Sequence, residues 1–362
     1  MKKKIAILGS TGSIGKTLIN IIKKDQTNFE ITLLTAHKNY KELIKQAKFF
    51  DVKNLIITDD NAFKLAKKVN LKRKINIFNN YENLKKIFKN KNDFIMSSIT
   101  GLDGLYPTLN SIKFTKNILI ANKEAIICGW NLIKKQLFKY KTNFIPVDSE
   151  HFSIWSLLKD NENKKIDKIF ITASGGPFLN LPKKKFSKIT IKSALKHPKW
   201  KMGKKISIDS ATMMNKLFEI IEAKNIFDIP YNKIKVLIHP NSYVHAIVKF
   251  SNGLTKLLIH DTSMQVPIFN AIYFDEISKR LQSKNLDIKK LNKLNLSLPN
   301  IKRFPFLKIM NTLPSKISLF ETVLIAANDE VVKLFLNKKI KFTDINKIVL
   351  KIVSSPKFTK YK

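Results

Sequence analysis

Cysteine is nearly absent: Cys128 carries the one thiol in 362 residues. A single cysteine excludes an intrachain disulfide and any thiolate-rich zinc or iron–sulfur site. Long apolar runs are missing as well. Without an uncharged stretch of about 18 residues, no membrane-spanning helix is expected. Acidic residues are scarce, 27 against 67 Lys and Arg, which gives a formal charge of +40. In many proteins such an excess marks a polyanion partner. Here the basic residues are mostly lysine, spread over the whole length beside abundant Ile and Asn, a bias that AT-rich codons produce by themselves. Phenylalanine sits mostly within apolar periodic segments and not beside arginine clusters. The expectation is therefore no specific nucleic acid and no membrane, with a basic nucleic-acid-binding protein kept as an alternative. Only a few lysines separate Met1 from the first expected strand. That leaves no room for a signal or transit peptide, and a cytoplasmic protein is expected.

The apolar share is 44%, enough for two or three domains at this length. Over the first ~150 residues, apolar runs such as "KIAIL", "FEITLLT", "NLIIT", "DFIMSS", "NILIAN" and "NFIPV" alternate with helical spacing in "IGKTLINIIKK", "YKELIKQAKFF" and "NAFKLAKKV". This βαβ pattern predicts a doubly wound, Rossmann-like parallel sheet over 1–148. A second texture follows. "KIFITASGGPF" reads as a strand ending in a glycine turn, "SATMMNKLFEIIEAKNIF" as one helix capped by Ser210, and "KIKVLIHP", "YVHAIVKF" and "LTKLLIH" as antiparallel strands. These predict an α+β domain over 149–285. Helical patterns from about Ile301 predict a small C-terminal helical domain, with its linker, over 286–362.

The stretch "AILGSTGSIGKT" admits two readings. Gly9, Gly12 and Gly15, spaced three apart between a strand and a helix, suit the pyrophosphate of a dinucleotide; Gly15-Lys16-Thr17 nearly matches a phosphate-binding P-loop, with Ser10 where its first glycine belongs. Asp148, ending the apolar "NFIPVD", would serve as the acid of the P-loop reading, so a P-loop nucleotide hydrolase stays open at this point. After the second strand the chain reads Thr35-Ala36-His37-Lys38-Asn39. A basic end there, in place of an acid for the ribose, favours NADPH over NADH.

In "PVDSEH", extended backbone would aim Asp148 and Glu150 to one side. Two adjacent carboxylates repel unless a cation or proton intervenes. On the later helix, Asn215, Lys216 and Glu219 fall at i, i+1 and i+4, with Met213 and Met214 on the packing side. Glu219 joined to Asp148 and Glu150 makes an all-oxygen set, suited to Mg2+ or Mn2+, with Co2+ a further candidate. "ASGGPF" carries Ser174 beside paired glycines, and "KHPKWKMGKK" places His197, Trp200, Met202 and Gly203 in a basic loop able to close over an anion. His239, His245 and His260 read as structural residues.

In order along the chain, "GSTGSIG", "ANKE", "PVDSEH", "SGGPF", "HPKWKMGKKISIDSATMMNK" and "LIHPNS" resemble the 1-deoxy-D-xylulose 5-phosphate reductoisomerase family, from Met1 to about residue 350. The resemblance implies an NADPH-dependent oxidoreductase of isoprene biosynthesis by the non-mevalonate route. Its substrate is a small phosphorylated sugar, rearranged and reduced to 2-C-methyl-D-erythritol 4-phosphate with help from a metal acting as Lewis acid. It also implies a homodimer. By resemblance, Thr11, Gly12, Ser13 and Ile14 cradle the NADPH phosphates, His37, Lys38 and Asn39 lie at its adenosine side, and Asn122, Glu124 and Gly203 complete the cofactor site. Asp148, Glu150 and Glu219 are the implied metal ligands and, with Lys123 and His197, the catalytic set. Lys123, Ser149, Glu150, Ser174, His197, Trp200, Met202, Ser210, Asn215, Lys216 and Glu219 are the implied substrate contacts, with Met264 packing nearby. Three departures stand out: His37 where the family usually has glycine, "NKLFE" for "NKGLE", and an end at Lys362 without much of the usual tail, which implies a trimmed helical domain.

Overall fold

The computed structural model of the chain describes residues 1–69, 74–159, 165–200, 202–276, 278–282, 287–316 and 318–362. Contacts gather it into two compact units, residues 1–148 with 264–281, and residues 149–263 with 282–362.

The first unit is built on β1 (Lys3–Leu8), β2 (Phe29–Ala36), β3 (Asn54–Ile57), β4 (Asn76–Phe78), β5 (Asn92–Ser97), β6 (Thr115–Ile120) and β7 (Asn143–Pro146). Their order is β4-β3-β2-β1-β5-β6-β7, and every pairing is parallel. Successive residues of a strand face opposite sides, so a strand buried throughout needs cover on both. β1 meets that condition: Ile5, Ala6, Ile7 and Leu8 are all fully buried. The helix Ser13–Lys23 follows, burying Leu18, Ile19, Ile21 and Ile22 along one stripe. Strand order reverses between β1 and β5, which makes the carboxyl end of β1 the switch point where such sheets bind ligands. Residues 264–281 return to this unit, where Tyr273 packs edge-on to Phe29 and Lys279 Nζ reaches Asp25 at 2.9 Å.

In the second unit, β8 (Ile166–Ala173), β9 (Ile234–Ile238), β10 (Val244–Phe250) and β11 (Thr255–Ile259) are ordered β11-β10-β8-β9. β10 runs antiparallel to β8 and β11, as expected, and Gly253 at φ +87° turns the β10–β11 hairpin. β9 corrects the sequence reading: it runs parallel to β8. Between them, the described residues of 174–233 hold three α-helices, ample for the crossover that parallel pairing requires. Ile169, Ile171, Val236, Ala246 and Val248 of the sheet pack with Ile154, Ile220 and Ala223 from helices.

A second correction concerns the expected helix from Ser210. The chain forms two helices, Lys204–Thr212 and Met214–Phe227, so Ser210 lies inside the first and caps nothing. Between them Met213 takes the left-handed conformation at φ +64°, and its N–H closes on the Ser210 carbonyl. Such a conformation costs a non-glycine residue about 1–2 kcal/mol, which burial of the Met213 side chain offsets. Met213 and Met214 are packing residues, and Leu217 and Phe218, the bulky pair of "NKLFE", are buried core. The expected C-terminal helices are present at Phe320–Leu336 and Phe342–Ser354.

Candidate active site

The glycine turn leaves β1 at Gly9, whose φ of +83° suits glycine. A Cβ on Gly15 would stand 2.5 Å from the Gly9 carbonyl oxygen, so the turn closes on the helix only without one. Gly12 caps the helix Ser13–Lys23 with no side-chain acceptor, which leaves first-turn N–H groups for an anion beside Thr11, Ser13 and Ile14. The P-loop reading fails on the same residues. Ser10 is buried and donates to Gln46, Lys16 is exposed, and the Thr17 hydroxyl donates to the Ser13 carbonyl within its own helix.

Gly9 N–H donates to Thr35 Oγ1 at 2.9 Å, which ties the end of β2 to this turn. Beyond it, His37 Nδ1 lies 3.0 Å from Thr58 Oγ1, and Lys38 Nζ lies 3.9 Å from Asp59. Asp59 was not foreseen as a neighbour of that basic end. Asn39 caps the helix Tyr40–Phe50 by accepting from Glu42 N–H.

Asn122 caps the helix Lys123–Tyr140 through Ala125 N–H, while its amide donates to the carbonyls of Ile99 and Gly101. It therefore braces the end of β6 against the loop after β5. Lys123 and Glu124 are buried in the first turn, and the Lys123 ammonium pairs with the carboxylate of Asp148. Met264, at the first unit's returning segment, precedes the helix Gln265–Ile272.

In the second unit, "SEH" is not extended: Ser149 opens the helix Ser149–Lys159, with Glu150 in its first turn. Asp148, two residues earlier, follows β7. A strand end feeding a helix thus replaces the expected alternation along one strand. Ser149 Oγ donates to Glu150 at 2.6 Å, and Lys216 Nζ donates to Glu150 at 2.9 Å and also to Glu219. Asn215 donates to the other Glu219 oxygen at 2.5 Å. Burial of Lys216 opposes its charge, but Glu150 and Glu219 outweigh it and hold the ammonium above the ordinary lysine range. The two carboxylates offer oxygens within 4.8 Å of one another.

Ser174 and His197 meet as a second cluster. His197 Nδ1 accepts the backbone N–H of Lys199 at 3.2 Å and of Trp200 at 2.9 Å. The ring proton is therefore on Nε2, which donates to Ser174 Oγ at 3.0 Å. Ser174 also accepts Gly176 N–H at 3.1 Å, so its own hydroxyl proton is left to donate. Burial pushes His197 down to about 4. A Cβ on Gly176 would lie 2.8 Å from the Ser210 carbonyl; without it the turn reaches the helix carrying Ser210. The adjoining cavity, ≈ 510 Å³, is lined by Ser174, Gly176, Pro198, Lys199 and Asn241. Gly203 caps the helix Lys204–Thr212 without a side-chain acceptor.

Trp200 stands edge-on to His245 at 6.1 Å, and His245 stacks on His260 at 3.6 Å. Both histidines read from the sequence as satisfied structural residues, and each ring lies within hydrogen-bond distance of a backbone oxygen. His151 and Glu222, also overlooked, lie buried beside Glu219.

Residues 5–129 match the profile described as 1-deoxy-D-xylulose 5-phosphate reductoisomerase, and 144–227 and 260–362 match profiles of its C-terminal domain. The reductoisomerase of Pelagibacter ubique (strain HTCC1062) is 62% identical over 362 residues, 99% of this chain and 93% of that one. The chain belongs to the 1-deoxy-D-xylulose 5-phosphate reductoisomerase family. The family member from Sulfurihydrogenibium sp. (strain YO3AOP1) is 40% identical, across 99% of this chain and 92% of its own. Among solved reductoisomerases, that of Zymomonas mobilis in complex with NADPH superposes with a TM-score of 0.86 at 32% identity, covering 98% of this chain and 92% of that one. A reductoisomerase complex with NADPH, fosmidomycin and magnesium gives 0.88 at 32% identity, with 99% and 90% covered. The doubly wound sheet, the α+β part and the C-terminal helices are thus the architecture of a reductoisomerase.

Proposed function

We propose that this reductoisomerase holds its divalent metal with Asp148, Glu150 and Glu219 and its phosphorylated substrate with the residues around Ser174 and Lys216. The chain is an NADPH-dependent oxidoreductase that converts 1-deoxy-D-xylulose 5-phosphate to 2-C-methyl-D-erythritol 4-phosphate in non-mevalonate isoprenoid synthesis. The observation that carries the site assignment is the pairing of Glu150 and Glu219 on one buried ammonium. In a chain with only 27 acids, two carboxylates brought this close need a cation between them. Lys216 supplies part of that charge, and an all-oxygen donor set suits Mg2+ or Mn2+.

The bound metal supplies Lewis-acid stabilisation of charge on the substrate oxygens, and NADPH supplies the hydride. The chain's own residues do the rest. Thr11 to Ile14 present helix N–H groups to the dinucleotide phosphates, with His37, Lys38 and Asn39 at the adenosine side and Asn122, Glu124 and Gly203 completing the pocket. Ser174 donates its free proton to the substrate phosphate, and His197 fixes that proton's direction by occupying an oxygen lone pair. Ser210, Asn215 and Lys216 add donors to the same anion and its hydroxyls, while Ser149, Trp200, Met202 and Met264 enclose the carbon skeleton. Lys123 presents its ammonium at Asp148, where it stabilises negative charge on the reacting oxygens. We assign residues 1–148 to cofactor binding, 149–285 to catalysis and 286–362 to a linker and helical domain, in a cytoplasmic homodimer. No helix of the described residues is long and apolar enough to cross a membrane.

Purified protein mixed with 1-deoxyxylulose 5-phosphate, NADPH and Mn2+ should consume NADPH, and chelator should stop it. Consumption that ignores chelator would remove the metal from this reading.

A further inference from the structure

Two further buried groups lie on the helices that carry the carboxylate pair: His151 on the helix Ser149–Lys159 and Glu222 on the helix Met214–Phe227. His151 is fully buried and Glu222 is 1% exposed. Placing such groups in an apolar interior is unfavourable unless they are engaged there. His151 Nε2 lies 2.9 Å from the backbone oxygen of Glu219. A carbonyl only accepts, so Nε2 carries a proton and donates it. The opposite ring nitrogen, Nδ1, lies 3.8 Å from Glu222 Oε2.

The arrangement crosses between two helices. His151 directly follows Glu150, and Glu222 stands one turn after Glu219, on the same side of its helix. The imidazole is therefore hydrogen-bonded at Nε2 to the backbone of the Glu219 residue, while its Nδ1 faces the Glu222 carboxylate beyond hydrogen-bond reach but within ion-pair distance. A rotation or slide of one helix against the other would change the separation of Glu150 and Glu219 and disturb the His151 contacts with it. Lys216 bridges the same two helices from the ligand side, but its ammonium sits on a long flexible stem; the imidazole is rigid.

We propose that Glu222 is a positioning residue that, acting through His151, fixes the spacing of the Glu150 and Glu219 carboxylates for the metal. The inference rests on the assignment of those two as ligands. Outer-shell carboxylates that orient a metal site typically change affinity by about 10–100-fold when removed.

The test is a titration of full-length protein with Mn2+, read by loss of the free-ion paramagnetic signal, on wild type, Glu222→Gln, His151→Gln, the double variant and Glu219→Gln. NADPH affinity and the unfolding midpoint without metal serve as checks of folding. Glu222→Gln and His151→Gln should each raise the Mn2+ dissociation constant at least about tenfold with NADPH affinity unchanged. The double variant should be no worse than the weaker single, because both cut one connection. Wild-type Mn2+ affinity in folded Glu222→Gln, with binding lost in Glu219→Gln, overturns the inference and leaves the ligand assignment standing; additive losses in the double variant also overturn it. Wild-type affinity in Glu219→Gln overturns the ligand assignment itself. If Glu222→Gln unfolds, His151→Gln decides on the same criterion.

Discussion

His197 shows how much one side chain's neighbours decide. Its position in "KHPKW" marks it as a contact for an anion, which an imidazolium would serve, yet two backbone N–H groups point at Nδ1 and leave no room for a second ring proton. With burial pressing the same way, it is neutral down to about 4, against an ordinary 6.5. The unfolded chain takes up the proton near 6.5 and the folded one does not. The folded state therefore loses stability as pH falls from 6.5 through about 4, and above that window His197 contributes no pH dependence. Following the His197 ring protons by NMR should give a midpoint near 4; a midpoint at or above the ordinary value would mean that Nδ1 is not an acceptor. None of this is visible in sequence, because the deciding partners are main-chain groups of Lys199 and Trp200. The Asn215–Lys216–Glu219 spacing was legible, since a helix fixes which residues share a face. The His151–Glu222 contact was not, because it joins two helices.

Elements were legible where burial sets a period and illegible where pairing partners must be chosen. The strands of the first sheet stand out as runs buried on both sides; β4, three residues of "NIF", is too short to show a period. β9 reads as a strand from its own residues, but its direction depends on β8, and apolar spacing is the same for parallel and antiparallel neighbours. The break at Met213 lies within one uninterrupted helical pattern, with no glycine or proline to announce it. At the glycine turn the opposite holds, and local propensity misleads. Alanine at Gly15 should favour a helix by about 1 kcal/mol, yet its Cβ would fall 2.5 Å from Gly9 oxygen. Gly15→Ala should therefore weaken NADPH binding by about tenfold or more and lower the unfolding midpoint. An unchanged NADPH dissociation constant, measured by fluorescence titration, would show that the turn does not hold the cofactor phosphates.

At the scale of the whole molecule, the proposed cofactor contacts fall mainly in the first unit, while Glu150, Glu219 and the Ser174 cluster belong to the second. Glu219→Gln should abolish turnover, a loss of at least about a thousandfold, and leave NADPH affinity within about twofold of wild type, since sites without shared partners act independently. Loss of NADPH binding would show that the two sets of residues are not separable. The chain passes between the units at 148/149, 263/264 and 281/282. Sequence texture suggested a simple succession of domains; the return of 264–281 was hidden because its partners, Asp25 and Phe29, lie far back in the chain. That return gives biosynthesis an order. A chain emerging N-terminus first has all the described strands of the first sheet by residue 146, but Asp25 waits for Lys279 and Phe29 for Tyr273 until residues 149–263 have been made. The first unit is begun first and completed late: during synthesis its sheet stands with Phe29 still lacking its Tyr273 cover.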